Sequence, residues 1–350
     1  MLILVINCGS TSTKLAVYDD LTEKCRCTYS VGRSEEMQLK IKEQTEAVNT
    51  FLSDNHINSK DLTAVVARGG CFYPVEGGAY LLDADLAHDL YATSENNAGN
   101  MSGILAYRIA QNLEIPAYIF DAVCVDEMMP VARLSGVKGI DRYSRTHTLN
   151  TRAMAREAAS ERGADYRNLN IITAHLGGGC SVNIYVKGRI VDLVTSEEGG
   201  FSAERCGGMQ GDTVMDLIRR YGIEYTENLF HGNGGLKSYF GHTDAVKITE
   251  QIENGDKDAR LVFEAMAYQV AKSICSLAAA VEGKVDFIVL TGGLMNSELL
   301  SEMIRKRVSF LADVIVKPGE RELSALAAGA VEVLQGKAEA KKYIPYSERA

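Results

Sequence analysis

The sequence predicts an α/β protein built from two duplicated domains, each a mixed sheet with flanking helices, and three observations carry that expectation. An apolar strand from Leu2 runs into the turn Gly9-Ser-Thr-Ser-Thr13 and returns as a second strand to Tyr18, with Lys14 at the far edge of the turn. The same strand, glycine turn and return strand recur over 170–186, where Gly177, Gly178 and Gly179 make the turn. Each hairpin leads into a further strand candidate, 26–31 after the first and 189–194 after the second. A repeated unit of this kind fixes an architecture before any single motif is weighed. Its implication is two similar domains facing a shared cleft, each presenting a glycine hairpin to it. The expected divisions are 1–147, 148–322, and a terminal helix and tail over 323–350, whose packing back on the first domain is left open.

Taken in order, 35–55 has helical periodicity, with Met37, Ile41, Val48, Phe51 and Leu52 on one face. A strand over 62–67 ends in the turn Arg68-Gly69-Gly70. A helix over 102–113 precedes a buried strand over 116–121 that closes on Asp121. In open α/β sheets, ligands bind beyond the carboxyl ends of strands, where Asn7, Arg68 and Asp121 emerge. A polar cluster, Arg142, Ser144, Arg145 and His147, precedes a helix over 151–162. The second domain then continues with helices over 212–221, 244–254 and 258–282 and a strand over 286–291 that runs into Gly292-Gly293. A helix over 298–311, a strand over 314–316 and a helix over 323–334 complete it. The charged tail from Gly336 calls for no function of its own.

Composition narrows the classes. With 350 residues, 46% of them hydrophobic, the chain can bury the cores of two domains. A formal charge of −9 argues against a nucleic-acid or anionic-membrane partner, either of which favours a basic face. The first apolar run has no charged region before it and stops at Asn7, so it reads as a strand and not a signal peptide. No apolar stretch reaches membrane-spanning length, and a soluble, cytoplasmic protein is expected. The eight cysteines lack the paired spacing and histidine partners of a zinc site and read as reduced core residues. Cys8 and Cys206 stand beside glycines in candidate loops, where thiol modification is expected to inhibit.

The chemistry-bearing residues cluster at strand ends. Any one glycine turn is as well explained by a tight reversal. Gly9, Gly177–Gly179 and Gly292-Gly293 all follow apolar strands directly, however, and together they suit the close backbone approach that a phosphate chain needs. Arg68 and Arg205 lie beside glycines in the loops following them, and a planar guanidinium suits bidentate recognition of carboxylate or phosphate. A carboxylate ending a buried strand, as Asp121 does, must be paired or hold a cation, and with a nucleotide present Mg²⁺ is the natural one. His147 and His175 are open to either a structural or a functional role. A serine nucleophile elbow, a His-Glu-x-x-His helix and a Gly-Lys-[Ser/Thr] loop are all missing from the sequence, so phosphoryl transfer by positioning and charge neutralisation fits better than covalent catalysis.

Together these residues resemble the acetate and butyrate kinase family of the sugar-kinase, Hsp70 and actin superfamily over almost the whole chain. The carriers are Asn7-Cys-Gly-Ser-Thr-Ser-Thr-Lys14, Ala67-Arg-Gly-Gly70 with Pro74-Val-Glu-Gly-Gly78, Asp121 through Val125-Asp-Glu-Met128, and His147-Thr-Leu-Asn150. Ala174-His-Leu-Gly-Gly-Gly179, Phe201-Ser-Ala-Glu-Arg205 and Thr291-Gly-Gly293 complete the set. The Arg-Gly-Gly turn and the Pro-x-Glu-Gly-Gly stretch look like the butyrate kinase branch, whereas acetate kinases resemble His-Gly-Gly there. The resemblance implies two actin-like, ribonuclease H-like domains with an ATP cleft between them, ATP and Mg²⁺ as cofactors, and a homodimer or higher homo-oligomer. It implies reversible phosphoryl transfer from ATP to a short-chain carboxylate, butyrate or a branched analogue, giving an acyl phosphate and ADP. An acetate or propionate kinase, a nucleotide-binding regulator without catalysis and a sugar kinase are the alternatives.

By the same resemblance, Asn7, Ser10, Ser12 and Lys14 face the transferred phosphate and Arg68 holds the acyl carboxylate. Arg205 neutralises the phosphoryl group in flight, with His147 and His175 beside it. Asp121 positions Mg²⁺ or the attacking carboxylate, with Asn7 as a second metal contact. His175 and Gly177, Gly178 and Gly179 meet the nucleotide phosphates, and Gly292 and Gly293 cradle the adenosine or its phosphates. The chain departs from the family pattern at Cys8, where proline is usual, and at Asn96-Asn97-Ala-Gly-Asn100, where a histidine is expected. Met295 replaces the metal-linked glutamate of acetate kinases.

Overall fold

The computed structural model describes residues 1–9, 12–30, 37–93 and 98–348, and the chain divides into two compact units, Met1–Asp126 joined by Arg321–Ala350, and Glu127–Glu320. In the first unit, β1 (Leu2–Cys8), β2 (Ser12–Asp19) and β3 (Thr22–Ser30) form an antiparallel ribbon. After α1 (Met37–Asp54), β4 (Ala64–Arg68) pairs parallel with β1. Then follow β5 (Ala79–Leu81), α2 (Ala84–Ala92), α3 (Ala98–Leu113) and β6 (Ala117–Phe120), giving the sheet order β3-β2-β1-β4-β6-β5. β1 is buried on both faces, which is why it reads as one unbroken apolar run. Leu4, Ile6, Leu15, Val17, Val65 and Ala67 occupy one face, packed with the buried side of α1 and with α3.

The second unit opens with α4 (Pro130–Arg133) and α5 (Thr148–Glu161), followed by β7 (Asn170–Leu176), β8 (Cys180–Val186) and β9 (Arg189–Val194). Helices α6 (Gly211–Tyr221), α7 (Ile223–His231), α8 (Gly235–Phe240), α9 (Ala245–Glu253) and α10 (Lys257–Leu277) lead to β10 (Phe287–Gly292), α11 (Glu298–Val308) and β11 (Asp313–Pro318). β10 lies parallel between β7 and β11, so the order is β11-β10-β7-β8-β9. Ile172, Ala174, Ile184, Ile288 and Leu290 share one core with Phe263, Met266 and Val270 of α10. The opposite face puts Ile171, Tyr185 and Val289 against Met154, Ala155 and Ala158 of α5. Among the described residues no helix is long and apolar enough to cross a membrane.

The duplication is visible strand by strand. In both sheets a three-stranded antiparallel ribbon is extended from its first strand by parallel neighbours. Both ribbons also carry a register shift at the same place, between Val17 and Tyr18 in one and between Ile184 and Tyr185 in the other. A bulge bends the strand and increases its twist, so each ribbon curls where it leaves the sheet.

Residues 127–147, read from sequence with the first domain, belong to the second unit. The Met129 N–H donates to the Val191 carbonyl at 2.9 Å, and Arg142 bridges Asp192 at 3.0 Å and Glu198 at 2.9 Å. The last helix, α12 (Glu322–Leu334), packs on β1 and β4 of the first unit, on the face opposite α1. The tail beyond it packs on the first unit. Lys341 pairs with the edge of β5, and the Tyr343 side chain is 1% exposed, its hydroxyl donating to Asp89 Oδ2 at 2.6 Å. Burial alone would raise the Asp89 carboxyl, but the Tyr343 hydroxyl, the Tyr346 amide and His88 outweigh it and hold its pKa below the usual value. Elements α2, α4, α7, α8 and β5 are not among those the sequence predicts.

Candidate active site

At the carboxyl ends of the first unit's parallel strands, the pattern of burial sorts the candidate residues by face. Leu4, Ile6 and Cys8 of β1 turn to the α1 core, so Asn7 points to the α12 side, as does its cross-strand partner Lys14. Arg68 ends β4 on that same face, because Val65 and Ala67 take the other one. The buried Glu322, in the first turn of α12, joins them: its Oε2 accepts from Asn7 Nδ2 at 2.6 Å and its Oε1 lies 3.6 Å from Arg68 Nη1. Sequence reasoning started this helix one residue later and missed the glutamate. The only signal was an acid at a helix start, where the backbone dipole favours it.

The first hairpin is braced from the α1 side. The Cys8 N–H donates to Ser102 Oγ at 2.7 Å, and Gln44 Oε1 accepts from both Cys8 Sγ and Thr13 Oγ1 at 3.1 Å. The Gly9 N–H closes the turn on the Ser12 carbonyl at 2.7 Å. Ser12 and Lys14 are half-buried on the return strand, and Ser10 lies outside the described residues. Asp121 follows β6 with φ 44° and is 3% exposed. Its Oδ1 accepts from the Gly78 N–H at 2.9 Å while its own N–H donates to the Gly78 carbonyl at 3.2 Å. One function of this carboxylate is thus to pin the loop that follows Arg68.

In the second unit the hairpin Gly177–Gly179 is gripped by the loop after β9. The Ala203 and Glu204 N–H groups donate to the Gly177 and Gly178 carbonyls at 3.2 and 3.0 Å, and Ser202 Oγ donates to Gly178 at 2.6 Å. Those bonds carry Arg205 up against Gly179. A Cβ on Gly179 would sit 3.0 Å from the Arg205 guanidinium carbon and 2.9 Å from Ser196 Oγ, so a larger residue there would displace these side-chain ends. Arg205 is one-third exposed, and its Nη1 lies 3.6 Å from Glu197 Oε1.

His175, near the end of β7, stands at the other side of the hairpin and stacks on His147 with ring centroids 4.0 Å apart and planes 14° from parallel. Asn150 Nδ2 lies 3.0 Å from His175 Nδ1 and 3.3 Å from Thr291 Oγ1. With the amide donating, Nδ1 is the acceptor and the neutral ring carries its proton on Nε2. That nitrogen is 4.0 Å from Glu320 Oε1. His147 Nδ1 is 2.8 Å from Ser181 Oγ, which accepts in turn from Thr146. Both rings are therefore held in orientation by fixed partners.

Gly292 closes β10 with φ 96°, and a Cβ there would lie 2.2 Å from the Leu176 carbonyl oxygen. Gly293 has open space in front of it and lines a cavity of ≈ 340 Å³ together with Gly177, Gly178, Glu204, Asp244 and Ser297. Asp244 caps α9 at the cavity's edge by accepting from the Val246 and Lys247 amides. Met295, where a metal-linked glutamate was the comparison, is 2% exposed in the apolar core. Neither flagged cysteine is activated: burial raises the Cys8 thiol and pushes Cys206 up to about 11, so both are neutral at pH 7 and poor nucleophiles.

Two duplicated sheets with glycine hairpins at their strand ends give the chain an actin-like fold. Among solved structures it resembles the acetate kinase of Porphyromonas gingivalis, with a TM-score of 0.80 and 19% identity over 95% of this chain and 99% of that one. It also resembles a propionate kinase from Francisella tularensis subsp. tularensis, with a TM-score of 0.77 and 20% identity over 94% and 98%. The ROK hexokinase of Thermus thermophilus follows at a TM-score of 0.51 and 13% identity over 96% and 100%. At these identities the likeness speaks for the fold. The acetokinase family model matches residues 128–325, more than half of the chain, and the chain belongs to the acetokinase family. Membership makes it a carboxylate kinase, a phosphotransferase that uses ATP.

Proposed function

We propose that this protein transfers a phosphoryl group reversibly between ATP and a four-carbon carboxylate, butyrate or a branched analogue, by direct in-line displacement. The observation that carries the reading is Arg205, held against Gly179 by the bonds between the 202–204 loop and the second hairpin. A carboxylate is already ionised at pH 7 and needs no general base. What remains is to bring two anions together and to spread charge over a metaphosphate-like transition state.

Arg205 supplies N–H donors to the equatorial oxygens of the phosphoryl group in flight, and His147 and His175 add neutral donors beside it. Asn7, Ser10, Ser12 and Lys14 meet the transferred phosphate on the first hairpin, and Arg68 holds the acyl carboxylate. Gly177, Gly178, Gly179, Gly292 and Gly293 offer backbone to the nucleotide. Among the described residues no group of three metal-ligating side chains could cage a cation alone. Mg²⁺ binds through one or two protein oxygens plus phosphates and water and does not require such a group. Asp121 is one such donor. Asn7, whose Nδ2 is bonded to Glu322, would offer its Oδ1 as the other. Bound there, Mg²⁺ would neutralise phosphate oxygens.

Four-carbon specificity is supported by the Arg68-Gly-Gly turn and the Pro-x-Glu-Gly-Gly stretch, which look like the butyrate branch. A cytoplasmic homodimer or higher homo-oligomer belongs to the same reading, and sedimentation of the purified chain tests its oligomeric part. The deciding assay traps acyl phosphate as hydroxamate with Mg-ATP and acids from acetate to valerate, isobutyrate included. We expect kcat/KM to peak at four or five carbons, each methylene being worth about 1–3 kcal/mol. A peak at acetate or propionate would keep the chemistry and overturn the specificity. No product from any acid, with ATP still bound, would make the chain a nucleotide-binding regulator.

A further inference from the structure

Residues 69–78 connect Arg68 to β5, and they are held from two sides. On the sheet side the Val123 N–H donates to Gly69 O at 3.3 Å, the Asp126 N–H donates to Val75 O at 2.8 Å, and Gly78 is clamped to Asp121. Asn100 Nδ2 also donates to Cys71 O at 3.2 Å, and the C-terminal tail, more than 250 residues away in sequence, adds a further set of contacts. The Lys341 N–H donates to Ala79 O at 2.9 Å, its carbonyl accepts from the Leu81 N–H at 3.0 Å, and its Nζ reaches Glu76 Oε2 at 3.0 Å and Gly77 O at 2.9 Å. Tyr343 meets Phe72 edge to face with ring centroids 5.8 Å apart. Tyr346 stacks on Tyr73 at 4.0 Å with planes 5° apart, and its N–H donates to Asp89 Oδ2 at 3.2 Å.

We infer that the C-terminal tail is a positioning element for the acyl substrate: Tyr343 and Tyr346 fix the loop after Arg68 and thereby set the enzyme's affinity for its carboxylate. The inference rests on the proposed function, in which Arg68 receives that carboxylate. A ten-residue loop without secondary structure of its own takes its position from the groups that hold it, and the tail supplies the aromatic and ionic ones among them. Aromatic stacking and a charge-assisted hydrogen bond are the strongest local means of holding it. The residues that make these contacts all belong to the unit formed by Met1–Asp126 and Arg321–Ala350. A general loss of stability does not follow from altering Tyr346, whose side chain is half exposed.

The test uses the full-length chain with Tyr346→Ala, Tyr343→Phe and the conservative Tyr346→Phe, measured for butyrate KM, ATP KM and kcat. Expected is a roughly tenfold rise in butyrate KM for Tyr346→Ala and for Tyr343→Phe, the size a lost aromatic pair or charge-assisted hydrogen bond implies. ATP KM and kcat should stay within about twofold, and Tyr346→Phe, which keeps the stack, should restore butyrate KM. Unchanged butyrate KM in both disruptive variants, or ATP KM rising in parallel, overturns the inference while leaving the proposed function intact. A lowered melting temperature with both KM values unchanged would show a merely structural tail and also overturn it. Should the unaltered chain make no acyl phosphate from any acid, the proposed function falls and the inference with it. Failure of Tyr343→Phe to fold leaves the decision to the two Tyr346 variants.

Discussion

Replacing Arg205 with alanine is expected to lower kcat by roughly three orders of magnitude while moving the KM for ATP only a fewfold. An interaction made only in the transition state costs kcat when removed, whereas one made equally with bound substrate costs KM. Arg205 is placed for the first kind. It sits over the second hairpin on a loop whose position is fixed by Ser202, Ala203 and Glu204, so its guanidinium needs little reorganisation to meet a developing charge. In the resting chain it faces Glu197 at 3.6 Å, a pair of one-third-exposed side chains that solvent screens and that adds little stability. The alanine variant should therefore melt with the unaltered protein. Steady-state kinetics with a thermal melt checks both halves, and an Arg205→Ala enzyme with undiminished kcat would remove Arg205 from the chemistry.

Gly292→Ala should have the largest effect on folding. The added Cβ would lie 2.2 Å from the Leu176 carbonyl oxygen and 2.8 Å from the Leu176 nitrogen, both backbone atoms that no rotamer change can move. The backbone at this position is also left-handed, at φ 96°, where only glycine is unstrained. Relief would require separating the ends of β7 and β10 and breaking the paired bonds between Gly292 and Gly319, at 3.1 and 3.0 Å. The cost is about 3 kcal/mol or more, a large share of a domain's stability. Urea unfolding should show a markedly lower midpoint, with much of the expressed chain insoluble. Gly293→Ala is the control, because its Cβ meets open space: the same melt as the unaltered chain, with a raised KM for ATP because Gly293 lines the cavity. Equal melting of Gly292→Ala and the unaltered protein would contradict this reading of the strand end.

The parts of this fold that were legible in the sequence are those whose causes are local. β1, β7 and β10 are buried on both faces and so read as apolar runs, and glycines mark where each ends or turns. The second-unit ribbon could be placed almost to the residue, because β8 and β9 alternate and β7 is continuous. Short elements were lost. β5 has three residues and α8 six, too few for a period to declare itself, and α7 and α8 are set off by Gly222 and Gly234 in what reads as loop. Distant partners were lost too. Glu322 meets Asn7 across 315 positions, and Tyr343 meets Asp89 across 254, and nothing in either local sequence announces the other. Asp121 was legible as a buried carboxylate that needs a partner, but that the Gly78 amide is one such partner is a fact of tertiary structure.

The central claim is that a carboxylate oxygen of the acid accepts the γ-phosphoryl group of ATP, and an isotope measurement tests it without any variant. The chain is incubated with Mg-ATP and butyrate carrying ¹⁸O in both carboxyl oxygens, and the product is trapped with hydroxylamine. Hydroxylamine attacks the acyl carbon and releases phosphate that keeps the bridging oxygen of the acyl phosphate. Transfer to the carboxylate predicts one ¹⁸O in each phosphate released with hydroxamate. Phosphate free of label, its added oxygen drawn from water, would mean that the carboxylate is not the acceptor and would contradict the account.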